Sequence, residues 1–188
     1  MQVLVGYASA HGSTRQIAQR VGSRLSRAGL AVHVAPVAEL DRIGPYDAVV
    51  LGSAVHNGAW LPGAMDVVRA NSDVLSPKPV WLFSVGMVAA LPRRLQGMGA
   101  REGSTVVTEI QGLIHPRDHR LFSGAVRRDQ LSCWGRMLFR LTGYQYGDYR
   151  AWPEIEAWAA DIATALVQEA GQVPEPTSRN GAAPPLGP

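Results

Sequence analysis

Two hydrophobic periods alternate along the chain. Short apolar runs bounded by turn-formers give way to stretches whose apolar residues recur every three or four positions. The first run, QVLVGYA (Gln2 to Ala8), is apolar almost throughout, as a strand buried on both faces would be. TRQIAQRVGSRLSRAG follows. Its Ile17, Ala18, Val21, Leu25 and Ala28 share one face with arginines between them, which predicts an amphipathic helix ended by Gly29. Further strands are expected at LAVHVAPV, at YDAVVLGSAV (Tyr46 to Val55), at KPVWLFSVG and at DHRLFSGAV. LPGAMDVVRANSDVL reads as one helix with Pro62 in its first turn. PEIEAWAADIATALVQEA reads as the last helix, with Ile155, Trp158, Ala159, Ile162 and Leu166 on one face. From Gly171 onward the chain is rich in Pro and Gly with almost no large apolar residue. The expected organisation is therefore one domain over residues 1–170 and a disordered tail over 171–188.

Strands that alternate with helices predict a parallel sheet covered on both faces. Ligands of such sheets bind beyond the carboxyl ends of the strands. Three loops follow apolar strands and would gather at that edge: Ser9 to Thr14, Ser53 to Trp60, and Ser84 to Met87.

Composition narrows the picture. The 188 residues are 46% hydrophobic and carry a formal charge of +3, which suits a single globular domain. No apolar run is long enough to span a bilayer. The opening MQVLVGYA lacks a charged flank or cleavage site, so a cytoplasmic protein is expected. Cys133 is the single cysteine, which excludes an internal disulfide or a cysteine metal cluster, and it reads as a small buried hydrophobe. No metal site is expected.

The first loop carries the clearest chemistry. Ser9, Ala10, His11, Gly12, Ser13 and Thr14 lie between a strand and a helix. Small residues admit close backbone approach, Gly12 permits positive φ, and the first N–H groups of a helix lack intrahelical partners. With the hydroxyls of Ser9, Ser13 and Thr14 these form a pocket suited to a phosphate. The plainer reading is a strand-to-helix turn capped by Ser13. No lysine completes a P-loop here, and one glycine does not make a dinucleotide fingerprint. A monophosphate held by hydroxyls and amides remains.

On these residues the sequence resembles the flavodoxins, whose FMN-phosphate loop has the form T/S-x-T/S-G-x-T. The pattern falls on Ser9 to Thr14, with His11 in place of the usual hydroxyl. The second flavin loop of that family matches LGSAVHNGAWLP, which holds Ser53, Ala54, Val55, His56, Asn57, Gly58 and Trp60. The third matches FSVGM, which holds Ser84, Val85, Gly86 and Met87. The resemblance implies a flavodoxin-like doubly wound α/β fold. Its parallel sheet would have five strands in the order 2-1-3-4-5, with helices on both faces. It also implies non-covalent FMN and a role in electron transfer with a redox partner protein or a quinone. Within the family, GSAV, HRLFSGAV and GDYRAW look like the branch of menaquinone-dependent protoporphyrinogen IX dehydrogenases, over about Gln2 to Ala170. The resemblance places Asn57 and Gly58 at the flavin N5 edge, where Gly58 would let a peptide flip when N5 gains a proton. Trp60 is open to two readings, an aromatic shield on the ring or a helix-start residue packed on the sheet. His56 would border the flavin or face water. No residue is assigned as a catalytic acid or base.

The arginines are unevenly placed, with six between Arg117 and Arg140. Over Arg127–Leu141, Leu131, Trp134, Leu138 and Leu141 recur at helical spacing. That face suits either packing on the sheet or peripheral contact with anionic lipid. No motif points to nucleic acid. Electron-carrier flavodoxins are acidic, so the basic balance of this chain would disfavour their docking partners. Ala151 stands where the branch has an acidic helix cap, a loss of about 1 kcal/mol. A flavin-free domain acting as an interaction module is the alternative function.

Overall fold

The computed structural model describes residues 1–40, 42–86, 108–126 and 146–171. Met87, the Arg127–Leu141 face, Cys133 and the tail after Gly171 lie outside the described residues. In chain order the elements are β1 (Gln2–Ala8), α1 (Ser13–Arg27), β2 (Ala31–Pro36), β3 (Ala48–His56), β4 (Ala59–Trp60), α2 (Pro62–Ala70) and α3 (Ser72–Leu75). There follow β5 (Val80–Gly86), β6 (Asp118–Ser123), β7 (Ala125–Val126), β8 (Gly147–Asp148) and α4 (Trp152–Gly171).

The main sheet runs β2-β1-β3-β5-β6, and every one of these neighbours pairs in parallel. Numbered among themselves, the five long strands have the order 2-1-3-4-5, as expected. Each central strand is buried on both faces because its alternate residues enter different cores. Val3, Val5, Val50, Phe83 and Val85 meet α1 and α4 through Ile17, Leu25, Ile155, Trp158 and Ile162. Leu4, Val49, Leu51 and Leu82 meet the α2–α3 side through Met65, Val68 and Leu75. This is why these strands read as continuous apolar runs rather than as alternation.

Gly52 shows how closely the first core is fitted. A Cβ there would lie 2.0 Å from the Phe83 ring. Glycine lets that ring lie across β3, where its centroid stands 6.2 Å from Phe122 and 6.0 Å from Trp158.

Three expected elements take a different form. The helix expected over 61–75 is two helices, because the chain turns at Asn71. Its side-chain amide donates to the Val67 carbonyl (2.9 Å), and its own carbonyl accepts the Leu75 N–H (2.9 Å). The strand expected over 118–126 divides at Gly124. There the backbone leaves β5, and β7 pairs antiparallel with β8 instead. The third strand does not end in an open loop but folds back as the short hairpin β3–β4. No helix among the described residues is long and apolar enough to cross a membrane.

At the start of α4 the Ile155 N–H bonds the Ala151 carbonyl (3.1 Å), so Ala151 stands where a capping side chain would act and has none to offer. Ala151→Ser is expected to stabilise the fold by about 1 kcal/mol. Thermal unfolding should show this as a rise in Tm of about 2–4 °C.

Candidate functional site

The first loop enters α1 through Gly12, whose φ of 89° is open to glycine and strained for other residues. The Ser9 hydroxyl oxygen accepts the Gly12 N–H (2.9 Å), which shapes the turn and leaves the Ser9 proton to be donated outward. The first helical bond runs from the Gln16 N–H to the Gly12 carbonyl (3.1 Å). The N–H groups of Ser13, Thr14 and Arg15 therefore have no acceptor within the helix, at its positive end. Thr14 is 1% exposed and faces the same space. Ser13 neither caps the helix nor offers its hydroxyl outward. Its oxygen accepts the Ala125 N–H (3.1 Å) and its proton is directed to the Ala125 carbonyl (3.4 Å), fastening α1 to β7.

A second fastening lies alongside. Asp148 holds Arg150 through two bonds, at 2.7 and 2.6 Å, and Arg150 reaches Gln16 on the first turn of α1. The Trp152 ring is flanked by Arg150 and Arg20, whose guanidinium carbons stand 4.6 and 5.0 Å from its centroid. The pairing of Asp148 with an arginine follows from the spacing in GDYR. It ties β8 to the helix that begins at the loop.

In the second loop, His56 pairs with Ala59 and Val55 with Trp60. Asn57 (φ 51°) and Gly58 (φ 74°) both take positive φ between them, the two-residue turn that matches strand twist. Asn-Gly is the sequence signal for such a hairpin, a turn where an open ligand loop was expected. Trp60 takes the second of its two readings. It is 3% exposed in the core above the α2–α3 side, and its indole N–H donates to Ser84 Oγ (2.8 Å). It is not among the described residues that line the cavity between the three loops. Ser53 is likewise committed, accepting the Leu61 N–H (3.0 Å) and donating to the Ala54 carbonyl (2.9 Å).

The three loops enclose a cavity of about 230 Å³. Ser9, Ala10, His11, Ser13 and Thr14 line it from the first loop, Ala54, Val55 and His56 from the second, and Val85 and Gly86 from the third. Gly12, Ser53, Asn57, Gly58, Trp60 and Ser84 stand close in sequence but do not line it. Leu61, Gly124 and Ala125 complete the wall, and the sequence reading did not assign them. Gly124 is buried under the start of α1. A Cβ there would stand 3.2 Å from Val85 Cγ1 and 3.4 Å from Ser13 Cβ. A glycine inside an apolar strand pattern is the mark of such a close approach.

Among the described lining residues only His11 and His56 carry titratable side chains. An anion here meets amides, hydroxyls and imidazoles rather than a lysine or arginine. Apolar walls come from Ala54, Val55, Leu61 and Val85. This donor set fits a phosphate at the start of α1 beside apolar walls.

Behind the cavity runs a polar chain through the core. Ser84 Oγ bonds His119 Nε2 (2.9 Å) as well as receiving the Trp60 indole. Asp118, next in sequence, receives the Trp158 indole N–H (2.8 Å), the Arg120 Nε–H (3.0 Å) and the His119 N–H (2.8 Å). Burial pulls the Asp118 carboxyl up. The Arg120 and Trp158 bonds, the Arg120 charge and the His119 amide outweigh it, so Asp118 ionises below its ordinary 3.8. Burial pulls His119 below its ordinary 6.5, and the Asp118 charge only partly opposes this.

The two shifts act in separate pH windows. The unfolded chain protonates at His119 near 6.5 while the folded chain resists, so stability is lost as pH falls below 6.5 toward the folded value. The Asp118 contribution is present above 3.8 and is lost only as pH falls through its lowered folded value. Thermal unfolding followed by circular dichroism from about pH 7.5 to 5.5 should show a falling Tm. His119→Gln should flatten that fall; an unchanged slope would assign it elsewhere.

The chain belongs to the flavodoxin-domain family, whose model matches residues 4–147. It is 23% identical over 174 residues to a protein of Escherichia coli K12 named protoporphyrinogen IX dehydrogenase [quinone], covering 87% of this chain and 95% of that one. Among solved structures it resembles a flavodoxin of Pseudomonas aeruginosa that carries one cysteine-to-serine substitution, with a TM-score of 0.58, 19% identity, and 89% and 99% of the two chains covered. A short-chain flavodoxin associated with a bacterial microcompartment gives a TM-score of 0.61 at 14% identity, covering 90% and 99%. The rubredoxin oxygen:oxidoreductase of Desulfovibrio gigas matches with a TM-score of 0.58 at 16% identity. There 90% of this chain covers 37% of that one.

Proposed function

We propose that this chain is an FMN-dependent oxidoreductase acting as a quinone-linked dehydrogenase similar to the protoporphyrinogen IX enzymes. The observation that carries the reading is the cavity at the carboxyl edge of the sheet, with the free amides of α1 at one end and apolar walls at the other. FMN, when bound, supplies the transfer of electrons between a reduced organic substrate and a quinone.

The chain supplies the rest. The amides of Ser13, Thr14 and Arg15 and the hydroxyls of Ser9 and Thr14 hold the phosphate. Val55, Leu61 and Val85 keep water from the ring. His56, with the turn at Asn57 and Gly58, borders the reacting edge. The basic balance of the chain supports this reading over a one-electron carrier. A flavin-free interaction module is the competing reading.

FMN added to the purified protein and freed of excess should leave a shifted two-banded visible spectrum, whereas an interaction module would retain no flavin. Thr14→Val keeps the shape of the side chain and removes its hydroxyl. It should weaken FMN by about tenfold or more, as loss of a bond to a charged group does. Riboflavin, which has no phosphate, should bind both proteins alike in a fluorescence titration. Turnover of protoporphyrinogen that depends on added menaquinone would mark the dehydrogenase; its absence in the flavin-loaded protein would favour a carrier.

A further inference from the structure

The hairpin that carries His56 into the cavity has only two cross-strand pairs, too few to hold itself in water. Its anchors lie toward the α2–α3 core. The Leu61 N–H bonds Ser53, the Trp60 ring sits in the core, and the Trp60 indole N–H bonds Ser84. Ser84 is 0% exposed, and its hydroxyl has one proton to place. With the oxygen receiving the indole, His119 Nε2 at 2.9 Å takes that proton when the neutral imidazole carries its own proton on Nδ1. In that tautomer the chain runs from Trp60 N–H to the Ser84 oxygen and from Ser84 O–H to the His119 nitrogen. Neither Trp60, Ser84 nor His119 lines the cavity. Yet they join β4, β5 and β6 immediately behind the two loops that do.

We propose that His119 is a positioning residue for the Val55–Trp60 hairpin, acting through Ser84 and Trp60 to set where His56, Asn57 and Gly58 stand at the cavity. Its consequence for flavin rests on the reading above; its consequence for the hairpin does not. An acceptor at position 119 fixes the Ser84 proton, a fixed Ser84 holds the indole, and a held indole pins the end of β4. Loss of the acceptor frees the Ser84 hydroxyl to rotate, and the pin loosens at its far end, 24 residues earlier in the chain.

The test compares His119→Leu, which removes the acceptor, with His119→Gln, whose side-chain oxygen restores one, and with Ser84→Ala. Two readings are taken on the FMN-free protein: the NMR shift of the Trp60 indole proton and the exchange rate of the Leu61 amide. The FMN dissociation constant is then measured by fluorescence. His119→Leu and Ser84→Ala should each move the indole resonance, speed Leu61 exchange about tenfold and weaken FMN about tenfold. The double variant should be no worse than Ser84→Ala alone, and His119→Gln should sit near wild type.

Leu61 exchange unmoved in Ser84→Ala would overturn the proposal. So would His119→Gln behaving like His119→Leu, because packing rather than the acceptor would then be at work. Exchange that rises while FMN affinity stays constant overturns the link from hairpin to cavity. If His119→Leu does not fold, the contrast between Ser84→Ala and His119→Gln carries the same decision. A wild-type protein that binds no FMN would refute the flavin reading alone, because the hairpin measurements are made without it.

Discussion

A parallel sheet covered by helices on both faces leaves only its ends for polar chemistry, and only the carboxyl end brings helix N-termini toward a ligand. Every feature of the site descends from that constraint. β1, β3 and β5 are central strands, so their side chains are consumed by the two cores, and nothing polar can be presented along their length without a partner. Ser53 and Ser84 bear this out. Both lie inside central strands, in the half toward the carboxyl edge, both are fully buried, and both are spent on internal hydrogen bonds. Polar groups become available to a ligand only where the strands end, at Ser9 after β1 and at His56, the last residue of β3.

The division of labour at α1 follows from the same geometry. A strand-to-helix turn must be held rigidly if its free amides are to present one arrangement to an anion. The side chain best placed to do so is the one at the first helical position, and Ser13 does this by engaging both backbone groups of Ala125. Gly124 makes the approach possible by having no side chain between β5 and α1. Arg150 adds a second tie one turn along. The hydroxyl that looks most like a ligand donor in the sequence is therefore structural, and Ser9 and Thr14 are the hydroxyls left facing outward.

What was legible in the sequence was whatever depends on period. The five long strands, the amphipathic α1 and α4, and the sheet order implied by the resemblance all rest on burial repeated over many residues. What was not legible depends on single contacts across long separations. LPGAMDVVRANSDVL has an unbroken helical pattern, and only the Asn71 side chain bonding back to Val67 shows where it turns. Trp60 had two readings of equal weight. The outcome turned on Ser84, a residue 24 positions away, offering its indole a partner. The hairpin is the exception, because Asn-Gly announces it locally and only the emphasis on a ligand loop concealed it.

The charge of the chain and the charge of the site part company. The net charge is +3, and among the described residues several arginines are matched by carboxylates in surface pairs such as Arg20–Glu156, Arg69–Glu109 and Arg120–Asp118, which add nothing to it. None of the described cavity lining is lysine or arginine. Any anion at α1 is thus held by dipoles and hydroxyl protons at contact distance, whose energy falls away within the first helical turn. Such a site depends on position far more than on ionic strength, since screening acts over about 8–10 Å and these contacts are shorter. That dependence gives a reason for the fastenings of α1 at Ser13 and Gln16. A site whose described lining offers no mobile cation must keep its amides where an anion would be.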